Sequence, residues 1–231
     1  MLKRVHLRRL RKLYRSAGWP SLDAIEIDLL AAGMIERVLP AGRPEYLRLT
    51  DAGIQALAVN REQNQSALDA HEALVQQVAH YLIDQGRIVY VGLGLLSKPG
   101  AQWQHPRPDV FSIRRTSQEA YLEPMIHEIK VKRADLLADL RKPEKHQAYL
   151  AAAGCCSYVL AEGIGTADDV PAACGVMMAG GDGLTALRPA PAAADFRLGF
   201  PTWMTLAKAT PFRLEREGGT AQLGEGLDPE D

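Results

Sequence analysis

No stretch of 18 or more apolar residues occurs in the 231-residue chain, which excludes a membrane-spanning helix of ordinary length. Behind Met1 come Lys3, Arg4, Arg8, Arg9 and Arg11 rather than the apolar stretch of a signal peptide, so secretion is not expected and a cytoplasmic location is. Three cysteines, Cys155, Cys156 and Cys174, are an odd number for a disulfide framework and lack metal-ligand spacing. They read as small buried apolar residues of a protein in a reducing compartment. Also missing are an internal repeat, a glycine-rich phosphate loop, a Ser-His-Asp order and any zinc-type spacing. Small-molecule cofactor chemistry therefore has no sequence support.

What remains is a globular composition, 47% hydrophobic and 24% charged, with a length that suits one full domain and a smaller one. The net charge of -1 hides an asymmetry. Seven basic residues and no carboxylate precede Asp23, while the chain from Glu215 onward is mostly acidic and glycine-rich. A basic amino-terminal helix suits an anionic partner.

Leu2, Val5, Leu10, Leu13 and Tyr14 recur at near-helical spacing, predicting a first helix to about Ala17 that stops at Gly18. Ser21 is the expected cap of a second helix ending at Ala32-Gly33. Met34–Leu39 and Tyr46–Leu49 flank a Gly/Pro-rich tip and predict a hairpin, after which Thr50 and Asp51 begin a helix to Val59. Asn60–Ser66 is wholly polar, a linker or helix extension, and the boundary falls there. The order helix, helix, two-stranded wing, helix, with the runs Leu30–Ile35 and Tyr46–Gly53, resembles winged helix-turn-helix regulators. That resemblance implies DNA as partner. The second helix carries Asp23, Glu26 and Asp28 and no basic residue, so phosphate contacts fall to Arg8, Arg9, Arg11, Lys12 and the wing's Arg43. Protein contact or dimerisation is the other use of such a domain.

From Ala67 an apolar face (Leu68, Leu74, Val75, Val78, Leu82) predicts a helix closed by Gly86. Strands are expected at Ile88–Leu96, Val110–Ile113 and Met125–Val131, then one charged helix from Arg133 to Tyr149 and a strand at Ser157–Ala161. Val176–Met178 reads as an edge strand, Leu184–Arg188 as another, and Pro201–Lys208 as a final helix. Within this frame stand Pro108-Asp109 and, after 18 residues, Glu128-Ile129-Lys130. Magnesium takes one or two carboxylates and keeps several waters, so carboxylates on adjacent strands can hold it against a phosphate. Strand alternation puts Glu128 and Lys130 on one face, where the lysine can serve the attacking water or the transition state.

Asp109 and Glu128-Ile129-Lys130 resemble the signature of the PD-(D/E)xK nuclease superfamily. The run from Glu128 through the Arg133-Ala134-Asp135 helix start to Lys145, with Tyr158 on the next strand, resembles its MmcB-like DNA-repair branch. The resemblance covers Leu68–Glu162. It implies an α/β fold: a restriction-endonuclease-like core of helix, mixed β-sheet and helix, preceded by the small winged domain. It also implies a Mg²⁺- or Mn²⁺-dependent DNA endonuclease, a hydrolase of phosphodiester bonds. Asp109, Glu128 and the Ile129 backbone carbonyl would hold metal, with Glu72 as a further ligand; Lys130 completes the catalytic set. His71 and His105 are read as bystanders. Asp135 and Asp139 share a helix face that would order Lys132, Arg133, Lys142 and Lys145 toward phosphates. The domains expected are 1–60, a winged helix; 67–212, nuclease-like; and 213–231, a flexible acidic tail. A homodimer is one way to cut both strands of a duplex. The rival readings are a non-catalytic DNA-binding or regulatory protein on the same scaffold, and a winged-helix regulator with a small-molecule sensor domain.

Overall fold

The computed structural model describes residues 2–16, 18–191, 193 and 195–213, and it divides into two compact units, Met1–Ala70 and His71–Asp231. The expected acidic tail lies, beyond Arg213, outside the described residues.

In the first unit α1 (Arg4–Arg15) and α2 (Ala24–Ala31) precede an antiparallel hairpin, β1 (Ile35–Val38) and β2 (Tyr46–Leu49). Leu10, Leu13, Leu29, Ile35, Leu47 and Leu49 form the core. The cap of α2 is Asp23, two residues later than the expected Ser21. Asp23 accepts the Glu26 N–H at 3.0 Å, and Glu26 in turn accepts the Ser21 and Leu22 N–H groups at 2.7 and 2.6 Å. A carboxylate satisfies two N–H groups where Ser21 could satisfy one, so the start moves to Asp23.

Thr50 accepts the Gly53 N–H at 3.2 Å and opens α3 (Asp51–Asp84). The polar segment 60–66 is helix rather than linker, because no Gly or Pro lies between Gly53 and Gly86 and its Arg, Glu and Gln residues are good helix formers. Gln65 and Asp69 bond across one turn at 2.8 Å. Gly53 itself is fixed by crowding: a Cβ there would stand 2.1 Å from the Met34 carbonyl oxygen.

The second unit is built on a six-stranded sheet, β3 (Arg87–Val91), β4 (Val110–Arg114), β5 (Met125–Lys130), β6 (Cys155–Ala161), β7 (Gly175–Gly180) and β8 (Gly183–Arg188), paired in that order. Pairing is antiparallel from β3 to β5, parallel from β5 to β7, and antiparallel between β7 and β8. The apolar stripe of α3, Leu74 to Leu82, covers one face against Val89, Val110, Ile129 and Val159. On the other face, α4 (Arg133–Leu140) and α5 (Pro143–Ala153) bring Leu136 and Tyr149 onto Phe111, Ile126 and Tyr158, and α6 (Phe200–Lys208) adds Leu206. The second unit is thus a mixed α/β fold.

The single helix expected over Arg133–Tyr149 is two helices, because Pro143 cannot donate to the preceding turn and starts a new helix instead. Strand β7 is interior rather than an edge, consistent with its unbroken apolar run Val176-Met177-Met178; β8 is the edge. Cys156 and Cys174 are buried free thiols and Cys155 is half-buried. Among the described residues no helix is long and apolar enough to cross a membrane.

Candidate active site

Strand register brings the motif together. Val110 on β4 faces His127 on β5, so the next residues outward, Asp109 and Glu128, face each other as well. Asp109 Oδ2 accepts the Ile129 N–H at 2.7 Å, taking the place of a further ladder bond. A strand residue directs its N–H and C=O to the same edge, so the Ile129 carbonyl also points toward the Asp109 side. Pro108 stands opposite Ile129 in the continued register and has no N–H to offer that carbonyl. The Pro-Asp pair therefore ends the ladder while leaving two oxygen donors, a carboxylate and a carbonyl, at its end.

Glu128 and Lys130 alternate with Ile129 onto the face covered by α4 and α5. Glu128 is 4% exposed and both its carboxylate oxygens are engaged. Oε1 accepts from Lys130 Nζ and Lys145 Nζ, both at 2.6 Å, and Oε2 from the Tyr149 hydroxyl at 2.7 Å. Lys145 also reaches Asp139 Oδ1 at 2.6 Å, Lys130 lies 3.7 Å from Asp139 Oδ2, and the Tyr158 hydroxyl donates to that oxygen at 2.9 Å. Two buried carboxylates, two ammonium groups and two phenols thus close a charge-balanced network. Burial opposes ionisation of Asp139, but its bond to Lys145 and the charges of both lysines hold its carboxyl below the usual range. The Lys145 ammonium is likewise disfavoured by burial and more than compensated by Glu128 and Asp139, which raise its pKa. Burial, then Glu128, pushes the Tyr149 phenol far up, and burial with Asp139 does the same for Tyr158, so both remain hydrogen-bond donors.

Asp109 faces a second set of groups. Its Oδ1 lies 3.4 Å from His71 Nε2 on α3, and the two side chains border an open pocket of about 180 Å³ that Glu72 and Arg107 also line. The hydrogen bond to Asp109 raises the His71 pKa against the opposing effect of burial. Burial disfavours the Asp109 carboxylate, yet His71 and the Ile129 N–H hold its pKa below the usual value. Glu72 is exposed and accepts from Gln76 at 3.2 Å.

The structure therefore gathers Asp109, Ile129, Glu128 and Lys130, and adds groups that the sequence reading placed elsewhere. His71, read as a bystander, contacts Asp109. Lys145, expected to face phosphates, is the second cation on Glu128, and Asp139 is buried with it while Asp135 stays exposed. Tyr149 and Tyr158 carried no role in the sequence reading beyond a family pattern; only the fold shows their hydroxyls on the two carboxylates.

The basic residues assigned to DNA separate into two groups. Arg9 is bound to Asp23 and Glu26, Arg11 to Asn60, and Arg133 to Asp169 at 3.2 Å and the Ile164 carbonyl at 3.0 Å. Arg8, Lys12, Arg43 and Lys142 are exposed, and Lys132 is half-buried at the start of α4.

Among the described residues no three His, Cys, Asp or Glu side chains converge as a cation site. The donors that could hold a magnesium or manganese ion are two carboxylates, Asp109 and Glu128, with the Ile129 carbonyl. That set of hard oxygens fits an ion that keeps most of its waters. Glu128 has three protein donors on its carboxylate, two on Oε1 and one on Oε2, which leaves one Oε2 lone pair for an ion.

Comparison with protein-family models finds no match, and comparison with curated proteins finds none either. Among solved structures, a protein of unknown function from Silicibacter pomeroyi is similar over 57% of this chain and 77% of its own, with 23% identity and a TM-score of 0.41.

Proposed function

We propose that the chain is a metal-dependent DNA endonuclease of the PD-(D/E)xK type associated with DNA repair. In this reading the second unit is a restriction-endonuclease-like core of the MmcB-like branch, and the first is a winged helix that grips DNA. The observation that supports it is the register of β4 and β5, which sets Asp109 beside Glu128 and Lys130 at the end of the ladder. The mixed α/β build of the second unit, with α3 on one face of a mixed sheet and α4 and α5 on the other, is compatible with that reading. Asp109, Glu128 and the Ile129 carbonyl would hold Mg²⁺ or Mn²⁺, which when bound polarises the phosphate and acidifies a water. Lys130 carries its positive charge to the same place and neutralises charge building on the phosphate oxygens. Tyr149 keeps Oε2 of Glu128 in position, and a phosphate arriving at the site gives Lys130 and Lys145 an anion to exchange for Glu128. Exposed Arg8, Lys12, Arg43 and Lys142 would contact the backbone without reading bases.

One observation favours the other reading, a non-catalytic DNA-binding scaffold: both Glu128 oxygens are already satisfied by protein donors. The two readings separate on labelled duplex, single-stranded, flap and four-way-junction DNA incubated with Mn²⁺, Mg²⁺ or EDTA. Cutting that EDTA abolishes supports the nuclease. Binding without cutting on every substrate supports the scaffold.

A further inference from the structure

On the face of the sheet under α3, one row of side chains is apolar: Val89, Val110, Ile129, Val159 and Met177. The neighbouring row toward the other end of these strands is polar although nearly as deep. Arg87 is 8% exposed, Ser112 0%, His127 1% and Ser157 4%. Burying such a row costs free energy unless its donors and acceptors are satisfied. Among the described residues, His127 Nδ1 is one of two buried side-chain polar atoms without a hydrogen-bond partner.

The missing partner has a definable chemistry. Arg87 Nε donates to Ser112 Oγ at 2.8 Å, and Ser112 Oγ lies 3.3 Å from His127 Nε2. Spending the serine hydroxyl hydrogen on Nε2 leaves the imidazole hydrogen on Nδ1, an unused donor. A pocket of about 320 Å³ opens against this row, bordered by the last turn of α3 and by strand residues that include Arg87, Arg114, His127, Ser157 and Arg188. Its one carboxylate is Glu123, against three arginines. Glu123 accepts from Arg114 Nε at 2.5 Å, its carboxylate stands 3.8 Å from Arg87 Nη1, and its backbone carbonyl accepts from Arg87 Nη2, which also reaches the Ser112 carbonyl at 3.3 Å, so Nη1 is the Arg87 nitrogen left to a ligand. Arg87 and Arg114 also face each other directly across β3 and β4, and the Glu123 carboxylate that stands 2.5 Å from Arg114 and 3.8 Å from Arg87 balances one of the two charges. Arg188 is committed to backbone carbonyls and contributes charge only.

We propose that this pocket binds a small phosphate-bearing ligand, free phosphate or a phosphate monoester, through Arg87, Arg114 and the His127 imidazole. The volume is at the small end of ligand pockets, sized for one compact molecule rather than a DNA strand. It lies on the opposite face of the sheet from Glu128 and Lys130, so the proposal does not rest on the nuclease reading. Nδ1 is closed over, so a ligand oxygen reaches it when the side chains between it and the pocket move aside.

The test is calorimetric titration of the full chain with inorganic phosphate and, separately, with adenosine monophosphate, repeated on R114Q and H127F. Arg114 is exposed, so R114Q should fold as wild type does; H127F deletes Nδ1 together with the Nε2 that Ser112 bonds, so its Tm is measured alongside and R114Q carries the test if H127F does not fold. Saturable binding with a Kd below about 1 mM is expected, weakened at least about tenfold in each variant. Tighter binding of the nucleotide would assign an ester ligand, and equal or tighter binding of phosphate a free anion. Absence of saturable heat with both probes, or binding unchanged in both variants, overturns the proposal.

Discussion

Replacing Lys145 with methionine removes one of the two cations that balance Glu128 and Asp139. Both carboxylates are buried, with side chains 5% and 8% exposed, while Lys145 is 29% exposed. Removing one partner of a buried ion pair costs about 3–5 kcal/mol, because the remaining charge is left in a poor solvent. Here Lys130 stays within 2.6 Å of Glu128 and 3.7 Å of Asp139, so the loss should sit at the low end, about 3 kcal/mol. For a unit of this size that corresponds to a fall in Tm of roughly 6–12 °C. The loss should also depend on pH with a definite sign. Asp139 has a folded pKa below its ordinary 3.8, so its contribution is present above that value and disappears as pH falls through the lowered one. Wild type and K145M should therefore converge on acidification, and adding Asp139→Asn to K145M should restore part of the stability by removing the uncompensated charge. Urea unfolding followed by circular dichroism at several pH values measures all three. A loss under about 1 kcal/mol at neutral pH would refute the buried, charge-balanced network.

His71 has a folded pKa raised above 6.5 by Asp109, so its stabilising contribution is complete below pH 6.5 and is lost as pH rises through the raised value. A Tm series between about pH 6 and 9 should show that decline in wild type and a flatter profile in His71→Gln. In the first unit, Arg9→Ala strands Glu26, which is 1% exposed, and should cost about 3 kcal/mol. Arg8→Ala with Lys12→Ala should leave unfolding unchanged and lower the slope of log K against log salt for duplex DNA by about 1.8, read by fluorescence anisotropy. If Arg9→Ala reduces the slope without a stability loss, the two groups of basic residues have been assigned the wrong way round.

How much of this was legible in the sequence follows from the range of each interaction. The strands of the motif and their alternation are local, and the pattern Glu128-Ile129-Lys130 reads directly as two residues on one face with a core residue between. The break at Pro143 was equally local, and the charged periodicity running across it concealed it. Segment 60–66 was open between a linker and a helix extension on polarity alone; nothing in it breaks a helix, so α3 runs through to Asp84. Spacing put Lys145 within reach of Asp139, six residues away, but its contact with Glu128 and those of Tyr149 and Tyr158 could not be read. These contacts span 17 to 21 residues, and only the packing of α5 against β5 and β6 brings them together. His71 was missed for the same reason, since its partner Asp109 lies on another element altogether. Ser21 lost the α2 cap to Asp23 because the Glu26 carboxylate takes the Ser21 and Leu22 N–H groups ahead of the helix, a choice that spacing alone does not rank.

The central claim is that Asp109, Glu128 and Lys130 form a hydrolytic site, and the most direct measurement is the single-turnover cleavage rate of the preferred DNA in Mn²⁺ for wild type and Lys130→Met. The account predicts a fall of at least about 10²-fold, with DNA affinity within about threefold of wild type because the exposed basic residues are untouched. Equal rates for the two proteins would contradict it.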